Sequence, residues 1–302
     1  MSKDLGTTWG SVYVDGRLMP ASEGMVSACN RGLLYGDGIF ETVRVYNGMP
    51  FMLDAHIDRM AGGCSVIRMT PPEADEIRGA ARQVLDANGL TGDAYLRITV
   101  TRGATGLMWY DLVHDKPTLI LLAKPFSPPD FGDGLRMTVS PSFRSDERSP
   151  LSRIKHTGIL WKILPRNEAK SRGFDDSLLL NTAGNVSEGT SANIFWAKDD
   201  MLCTPSLECG ILPGVTRAVI ADIARKHGIT VSEGAFPLEN LLAADEAFLT
   251  SSTAELSPIR SIEDKVFATG APGPTTIRLS DLYREHVRSL TSEPPASRVG
   301  RA

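Results

Sequence analysis

The chain has 302 residues, of which 42% are hydrophobic and 23% charged, and its formal net charge is −4. These values are typical of a globular chain of about two domains, and they exclude a disordered, collagen-like or coiled-coil protein. The slight acidity argues against a partner nucleic acid, and no apolar run is long enough to predict a membrane span. The cysteines, Cys29, Cys64, Cys203 and Cys209, form no CxxC pair. The first ten residues have no apolar core, so we expect no secretory signal. We therefore expect a cytoplasmic protein with reduced thiols and no metal site.

The first half of the chain reads as strands and hairpins with two helices. Asp15-Gly16 and Asn47-Gly48 are tight-turn dipeptides, and Ile77, Ala81 and Val84 recur at helical spacing. Strands are predicted at Ser11–Val14, Ile39–Tyr46, Ala94–Thr101 and Thr118–Lys124, with Pro50–Leu53 as a return, and helices from Asp54 onward and over Pro72–Asn88.

One segment is a clear linker. Pro125–Gly134 holds three prolines and two glycines in ten residues, and such a composition sustains neither a helix nor a central strand. A domain boundary here gives an N-terminal α/β domain (1–124), a linker (125–134), a C-terminal domain (135–291) and a flexible tail (292–302).

The second half alternates between strands and helices. Strands and helices on both sides of the linker indicate the α/β (α+β) class. Strands are predicted at Leu135–Ser140, Ser177–Asn181, Ala192–Ala197, Ile229–Val231 and Glu246–Thr250, and helices near Ile159–Ser171 and at Val215–His227, Leu238–Ala243 and Thr276–Thr291.

Two short segments could bind a phosphate. Leu212–Thr216 (LPGVT) precedes a predicted helix, whose first N–H groups have no partner within the helix and favour an anion. Thr250–Thr253 (TSST) follows a predicted strand and offers hydroxyls and amides. An ordinary Pro-Gly turn and an ordinary polar loop explain the same residues. Composition and spacing alone therefore indicate only a two-domain protein that could bind a phosphate.

Segments spread over nearly the whole chain share a further pattern. They are Arg31–Arg44 (RGLLYGDGIFETVR), His56–Met60 (HIDRM), Ile154–Lys155, Asn185–Phe195 (NVSEGTSANIF), Leu212–Arg217 (LPGVTR) and Thr250–Pro258 (TSSTAELSP). In this order they resemble the motifs of the class IV, fold-type IV pyridoxal-phosphate enzymes. That family includes branched-chain and D-amino-acid aminotransferases, (R)-amine transaminases and 4-amino-4-deoxychorismate lyases. The resemblance implies a two-domain fold with pyridoxal 5'-phosphate between a small N-terminal and a larger C-terminal domain.

The resemblance also implies roles for individual residues. Lys155 would form the Schiff base, or internal aldimine, with the cofactor and then move the substrate proton. Glu188 would keep the pyridine nitrogen protonated, and Leu212 would pack on the ring. The phosphate would be bound by a charged side chain and by hydroxyl and amide groups: Arg59, Val215, Thr216 and Ser252.

The substrate site is implied less specifically. Ser252 and Thr253 would face the substrate carboxylate, and Tyr35 would line the pocket from the neighbouring subunit of a homodimer. Phe40 and Tyr95 are pocket candidates or core aromatics. Arg44 and Arg97 are candidates to bind a second carboxylate of the substrate, because arginine offers a fork of donors. Each arginine is equally explained as an exposed strand residue or a structural ion-pair partner. Strand alternation groups Tyr95 with Arg97, and Phe40 with Thr42 and Arg44.

The motifs of this chain match different subfamilies at different positions. Leu160 follows Lys155 by five residues, where branched-chain members carry tyrosine and where D-amino-acid and lyase members carry leucine. Thr101-Arg102-Gly103 is not followed by the Arg-x-His of D-amino-acid members, whereas Tyr95-Leu-Arg97 resembles the branched-chain pattern. The sequence predicts an aminotransferase that moves an amino group between an amino acid or amine and a 2-oxo acid. The alternatives are 4-amino-4-deoxychorismate lyase and, remotely, a catalytically silent binding protein.

Overall fold

The computed structural model describes residues 9–104, 108, 110–112, 116–267 and 271–291. These residues form two compact units. Of the described residues, the first unit takes those up to Ser127, the segment Ile154–Gly158 and Val287–Thr291, and the second takes those within Pro128–Arg153 and Ile159–His286. The predicted tail, 292–302, lies outside the described residues.

The first unit is built on a six-stranded sheet in the order β2-β1-β6-β5-β3-β4. All neighbouring strands run antiparallel. The bounds are β1 Ser11–Val14, β2 Arg17–Pro20, β3 Gly38–Tyr46, β4 Met49–Pro50, β5 Ala94–Thr101 and β6 Thr118–Pro125. Burial alternates along β5 and β6, as expected for a sheet with one face in the core, whereas β3 is buried along nearly its whole length.

Among its described residues, the first unit contains three helices. They are α1 Arg31–Tyr35, α2 Leu53–Val66 and α3 Ala74–Ala87. The α2 helix packs on β3, and α3 packs on β1 and β6. The apolar stripe of α3, with Ile77, Ala81 and Val84, is buried in a common core with the sheet residues Val43, Leu96 and others. The helical spacing in the sequence predicted this face correctly.

The second unit contains a nine-stranded mixed sheet in the order β12-β11-β10-β13-β14-β7-β8-β9, with β15 paired to β14. The pairs β11–β12, β14–β7 and β7–β8 are parallel. The bounds are β7 Leu135–Ser145, β8 Asp176–Asn181, β9 Val186–Gly189, β10 Asn193–Lys198, β11 Met201–Pro205, β12 Thr230–Gly234, β13 Glu246–Ser251, β14 Glu255–Ile262 and β15 Lys265–Val266.

The helices of this half are α4 Leu160–Ser171, α5 Val215–Lys226, α6 Leu238–Leu242 and α7 Pro274–Thr291, with 3₁₀ turns at Pro150–Arg153 and Leu207–Cys209. The α4 helix packs on β7 and β8, and α5 packs on β12 and β13. Glu246 explains the start of α7, because its carboxylate accepts hydrogen bonds from the amides of Thr275 and Thr276.

The Lys155 segment belongs to a different unit from the one that the sequence predicted. The sequence assigned Lys155 to the C-terminal domain, whereas the structure groups Ile154–Gly158 with the first unit. Backbone pairing explains this: the amide of Phe40 donates to the carbonyl of Lys155 at 2.8 Å, and the amide of Thr157 donates to the carbonyl of Gly38 at 2.9 Å. The segment thus extends the pairing of β3.

The α/β (α+β) class and most elements predicted from the sequence are confirmed, with shifts of a few residues at their ends. The predicted return Pro50–Leu53 is wrong beyond Pro50, because Phe51 and Met52 form a turn and Leu53 begins α2. The predicted linker begins at Pro125, the last residue of β6, and ends at Gly134, immediately before β7. Five strands, β2, β9, β11, β14 and β15, and helix α1 were not predicted. The described helices include none that is both long and apolar enough to cross a membrane.

Candidate active site

The first group of candidate residues surrounds the Phe40 ring in the first unit. Phe40 is buried on β3, and its ring centroid lies 4.8 Å from Lys155 Nζ and 3.9 Å from Arg97 Cζ. Arg97 reaches this ring because it pairs in register with Thr42, two residues along β3 from Phe40. Its Nε also donates to Thr99 Oγ1 at 3.2 Å. Two cations therefore contact one aromatic ring, an arrangement that the ring quadrupole favours.

The turn before β3 holds the Lys155 segment in place. Gly36 ends α1 in the left-handed conformation, with φ of 67°, and a Cβ there would lie 3.1 Å from Gly158 Cα. The hydroxyl of Thr157 donates to the carbonyl of Gly36 at 2.8 Å. The Gly-Asp-Gly turn of the sequence thus lets the backbone approach closely enough to position the residues after Lys155.

A buried cluster of charge lies beside this site. Arg59 grips the Glu41 carboxylate through Nε at 2.7 Å and Nη2 at 2.5 Å, and His56 Nδ1 lies 2.8 Å from Glu41 Oε2. Burial opposes the ionisation of Glu41, but the Arg59 guanidinium and the His56 ring outweigh it and hold the pKa of Glu41 at about 2. Because Glu41 is ionised and can only accept, His56 Nδ1 carries the donated proton.

Burial lowers the pKa of His56. The charges of Arg59 and Lys155 lower this pKa further, and Glu41 partly offsets these effects. His56 is therefore a neutral imidazole near pH 7, and the cluster has one guanidinium and one carboxylate. Arg59 is held in a fixed orientation by its two bonds to Glu41.

Arg44 and Tyr95 lie at the other end of the same strands. Arg44 is buried and forms an ion pair with Asp93 at 2.5 Å, and its guanidinium lies over the rings of Tyr46 and Phe126 at 4.9 and 4.5 Å. Tyr95 pairs in register with Arg44. These contacts are those of a structural ion pair, which was the alternative explanation for Arg44.

Tyr35 closes α1 and is 52% exposed. The Arg31 guanidinium lies 5.1 Å from its ring centroid, and Arg31 itself is buried and bonded to Asp37. Burial is the largest influence on Asp37, but Arg102 and Arg31 reverse it and lower the pKa of this carboxyl. These arginines stabilise the turn that precedes β3.

The second group of candidates centres on Glu188, in β9 of the second unit. Glu188 is buried, and its Oε1 accepts from Lys162 Nζ at 2.7 Å. Its Oε2 accepts from Asn193 Nδ2 at 3.2 Å and from the amide of Leu212 at 3.3 Å. Three donors from α4, β10 and the loop before α5 therefore hold one buried carboxylate.

The start of α5 lies beside this carboxylate. Asn193 Nδ2 also donates to the carbonyl of Leu212 at 2.9 Å, and a Cβ on Gly214 would lie 2.0 Å from Asn193 Oδ1. Only glycine therefore fits before Val215, the first residue of α5. Val215 and Thr216 are buried, and the first amides of a helix have no partner within the helix.

The small polar segment at the end of β13 adjoins the same cluster. Thr250 pairs in register with Asn193 across β10 and β13, so both side chains lie on one face. Thr250 Oγ1 is buried without a hydrogen-bond partner among the described residues. Ser252 and Thr253 follow in the turn before β14 and are half-buried. A buried orphan hydroxyl costs free energy unless a ligand or water satisfies it.

The structure thus brings together Phe40, Arg97 and Lys155 in one unit and, in the other, Glu188, Leu212 and the residues that begin α5. Glu41, His56, Asn193 and Lys162 were not predicted as functional residues. Asn193 lay within a recognised motif, and the run IFETVRVY placed Glu41 on a strand. No local sequence pattern could have identified Lys162, because its ion pair joins it to a residue on a distant element. Among the described residues, no cluster of His, Cys, Asp and Glu could hold a metal ion.

Comparison with known proteins identifies the family. The model of amino-transferase class IV matches residues 38–262. The chain belongs to the class IV aminotransferases. It resembles a branched-chain aminotransferase from the archaeon Thermoproteus uzoniensis, solved with norvaline, with a TM-score of 0.87, 32% identity and coverage of 95% and 97% of the two chains. The fold is therefore fold-type IV.

Relatives with different activities are similarly close. A putative branched-chain-amino-acid aminotransferase of Methanocaldococcus jannaschii is 34% identical over 91% of this chain and 95% of its own. The aminodeoxychorismate lyase of Bacillus subtilis is 31% identical over 93% and 96%. The D-alanine aminotransferase of Bacillus licheniformis is 30% identical over 93% and 99%. Identity alone therefore does not separate these activities.

Class IV aminotransferases use pyridoxal 5'-phosphate, and the residues of this chain fit that group. The second unit offers a buried carboxylate with oriented donors, which suits a protonated pyridine nitrogen. It also offers the start of α5, a helix that packs on β13, and the orphan hydroxyl of Thr250 on that strand; both suit a phosphate. The first unit offers Lys155 on an aromatic ring.

Proposed function

We propose that this class IV enzyme moves an amino group between an apolar amino acid or amine and a dicarboxylic 2-oxo acid such as 2-oxoglutarate. The observation that carries the proposal is the contact of both Lys155 and Arg97 with the Phe40 ring. A lysine that can exchange a proton and an arginine that can bind a carboxylate are thereby held within one substrate length of each other.

Lys155 is proposed as the residue that binds the cofactor aldehyde covalently and then moves a proton at the substrate Cα. The bound cofactor supplies the electron sink that makes this proton removable. Lys155 is half-buried against Phe40, so the aromatic ring restricts where its amine can lie.

Glu188 is proposed to contact the pyridine nitrogen and keep it protonated. Its donors Asn193 and Leu212 fix the carboxylate, so little reorganisation is needed when the ring nitrogen gains a proton. Leu212 is proposed to pack on the ring face. The buried position of Glu188 strengthens its attraction for a positive charge.

The phosphate is proposed to be bound by Arg59, Val215, Thr216 and Ser252. Arg59 supports this because Glu41 holds its guanidinium rigidly, and an oriented guanidinium binds phosphate with a smaller loss of side-chain entropy. The amides at the start of α5 and the hydroxyls of Thr216 and Ser252 add uncharged donors.

Arg97 is proposed to bind the second carboxylate of the acceptor, while Phe40 faces the apolar part of the donor. Tyr95 is also a candidate from the sequence, but it lies four residues along the strand pair from Phe40 and its ring packs near Phe126, which supports a structural role more than a pocket role. Ser252 and Thr253 are proposed to bind the α-carboxylate. Arg44 is also a candidate pocket residue from the sequence, but its ion pair with Asp93 supports a structural role more than a pocket role.

One observation favours a second candidate function. Leu160 occupies the position at which lyase members carry leucine, and a lyase relative matches nearly the whole chain. 4-Amino-4-deoxychorismate lyase, which would use the same cofactor and lysine, is therefore the alternative.

We further infer a homodimer, located in the cytoplasm. The segment around α1 exposes five large apolar residues, Met25, Val26, Leu33, Leu34 and Tyr35, with exposed fractions of 42–80%. Apolar residues clustered in this way are typical of an interaction surface, and two-fold dimers are the most frequent homo-oligomers. Tyr35 is proposed to reach the substrate site of the other subunit.

The proposed function is tested by a donor screen. The holoenzyme is incubated with L- and D-amino acids and amines, each with 2-oxoglutarate and with pyruvate, and 4-amino-4-deoxychorismate is assayed in parallel. We expect amino transfer to 2-oxoglutarate from an apolar donor. Release of pyruvate from 4-amino-4-deoxychorismate, with no transfer to either acceptor, would favour the lyase.

A further inference from the structure

The carboxylate of Glu188 is paired with a lysine that has no role in the function proposed above. The Lys162 Nζ to Glu188 Oε1 distance is 2.7 Å, and the two side chains are 18% and 2% exposed. The opposite oxygen is occupied by the donors Asn193 and Leu212. The hydrogen bonds of Glu188 within the described residues involve no second cation.

Lys162 lies at a position in its helix that is unfavourable for a cation. Helix α4 begins at Leu160, so Lys162 lies in its first turn. A cation there is disfavoured by the helix dipole, whose positive end is the N-terminus. The pairing with Glu188 offsets this cost, while the Trp161 ring, 4.9 Å from Nζ, adds a weaker attraction.

The neighbouring charges of the second unit have other partners. Arg166, one turn further along α4, lies 3.9 Å from Asp176 Oδ2 on β8 and donates to Ser191 Oγ at 3.0 Å. Asp176 accepts from Thr190 Oγ1 at 2.5 Å. The charge opposite Glu188 within this unit is therefore that of Lys162.

A carboxylate that already neutralises an ammonium attracts a second positive charge less strongly, and the ammonium repels that charge. Given the function proposed above, in which Glu188 faces the pyridine nitrogen, we propose that Lys162 is a positioning residue that shares the charge of Glu188 and makes the ring nitrogen less basic than Glu188 alone would. Lys162 thereby sets the fraction of ring nitrogen that carries a proton at a given pH.

The test loads the holoenzyme with cofactor labelled with ¹⁵N in the ring and follows the nitrogen chemical shift against pH. Lys162→Met keeps the length of the side chain but removes its charge. We expect it to raise the apparent pKa of the ring nitrogen by about 1–3 pH units. Lys162→Arg keeps both the charge and the donors, so it should titrate close to the wild type.

A parallel Glu188→Gln variant separates this inference from the proposed function. A lower ring-nitrogen pKa in Glu188→Gln, with no change in Lys162→Met, overturns the role of Lys162 and leaves the proposed role of Glu188 standing. No change in either variant overturns both assignments. A lower ring-nitrogen pKa in Lys162→Met also contradicts the inference, because Lys162 would then act by orienting Glu188.

A second measurement does not depend on the variants folding. In a crystal structure of the wild-type holoenzyme, Lys162 Nζ should stay within about 3.2 Å of Glu188 Oε1. A lysine that has left the carboxylate once the cofactor is bound, with the two atoms more than about 4 Å apart, overturns the inference.

Discussion

Arg97 stacks on Phe40, with its guanidinium carbon 3.9 Å from the centroid of the ring. The same ring contacts Lys155 Nζ at 4.8 Å, so Phe40 links the residue proposed to move the proton with the residue proposed to bind a carboxylate. The register of β3 and β5 produces this arrangement by placing Arg97 opposite Thr42.

Substrate choice should depend on Arg97. Arg97→Ala should weaken the use of 2-oxoglutarate by about 10- to 150-fold, because loss of a charged hydrogen-bonded contact costs about 1.5–3 kcal/mol. Pyruvate, which lacks the second carboxylate, should be much less affected. The measurement is kcat/KM for each acceptor with one donor. Equal losses for both acceptors would remove Arg97 from the pocket.

Covalent attachment should require Lys155. Lys155→Ala should bind pyridoxal phosphate only non-covalently and lose turnover, whereas Lys170→Ala, at an exposed position of α4, should behave as the wild type. Borohydride reduction followed by peptide mapping locates the modified lysine. Label on any of the other eight lysines contradicts the assignment.

Proton removal should depend on the charge of Glu188. Glu188→Gln should retain the cofactor but slow proton abstraction by orders of magnitude, since each 1.4 kcal/mol of lost stabilisation is a factor of about 10. Single-turnover absorbance with a substrate deuterated at Cα reports this step. The matched control is Glu208→Gln, at an exposed carboxylate of the same unit. A wild-type single-turnover rate in Glu188→Gln would exclude the proposed role.

Acid should destabilise the first unit through Glu41. Its pKa in the folded protein is about 2, against an ordinary value of 4.5, so the stability it contributes is complete well above 4.5 and is lost as the pH falls towards 2. The full contribution is about 3 kcal/mol, of which about 2 kcal/mol should disappear between about pH 6 and pH 3. Urea unfolding of the wild type and Glu41→Gln over this range measures it. A constant difference in unfolding free energy between the two proteins would contradict a pKa of about 2 for Glu41 in the folded protein.

Assembly should depend on the apolar segment around α1. Leu33→Glu places a charge among the exposed apolar residues and should shift sedimentation from dimer to monomer, with loss of activity because Tyr35 no longer reaches the other subunit. Leu207→Glu, at a residue 39% exposed in the second unit, should leave the dimer intact. A fully active wild-type monomer would contradict the proposed assembly.

The sequence predicted elements well where the local pattern is strong. The strand Ala94–Thr101 was predicted with its observed bounds, because apolar and polar residues alternate along it. The strand β14 was missed because Pro258 lies within it, and proline argues against a central strand. The strand β9 is four residues long and buried throughout, so it shows no alternation.

The residues proposed for the site were identified mainly through family motifs, whereas the contacts that these residues make could not be predicted from the sequence. No local pattern indicates that Lys162 meets Glu188, 26 residues away, or that Arg59 is held by Glu41 across 18 residues. The grouping of Lys155 with the first unit arises from the pairing of Ile39 with His156. Such non-local pairings depend on the assembled sheet rather than on the residues next to each group.

We propose that this chain carries out amino transfer at Lys155. A single half-reaction of the holoenzyme tests this proposal. The wild-type holoenzyme is mixed with one apolar amino acid in the absence of any acceptor, and the cofactor and the products are identified by mass spectrometry. We expect one equivalent of 2-oxo acid per site together with conversion of the cofactor to pyridoxamine phosphate, and neither product in Lys155→Ala. Undiminished formation of both products in Lys155→Ala, or a cofactor that stays unchanged in the wild type with every amino acid and amine tested, would contradict it.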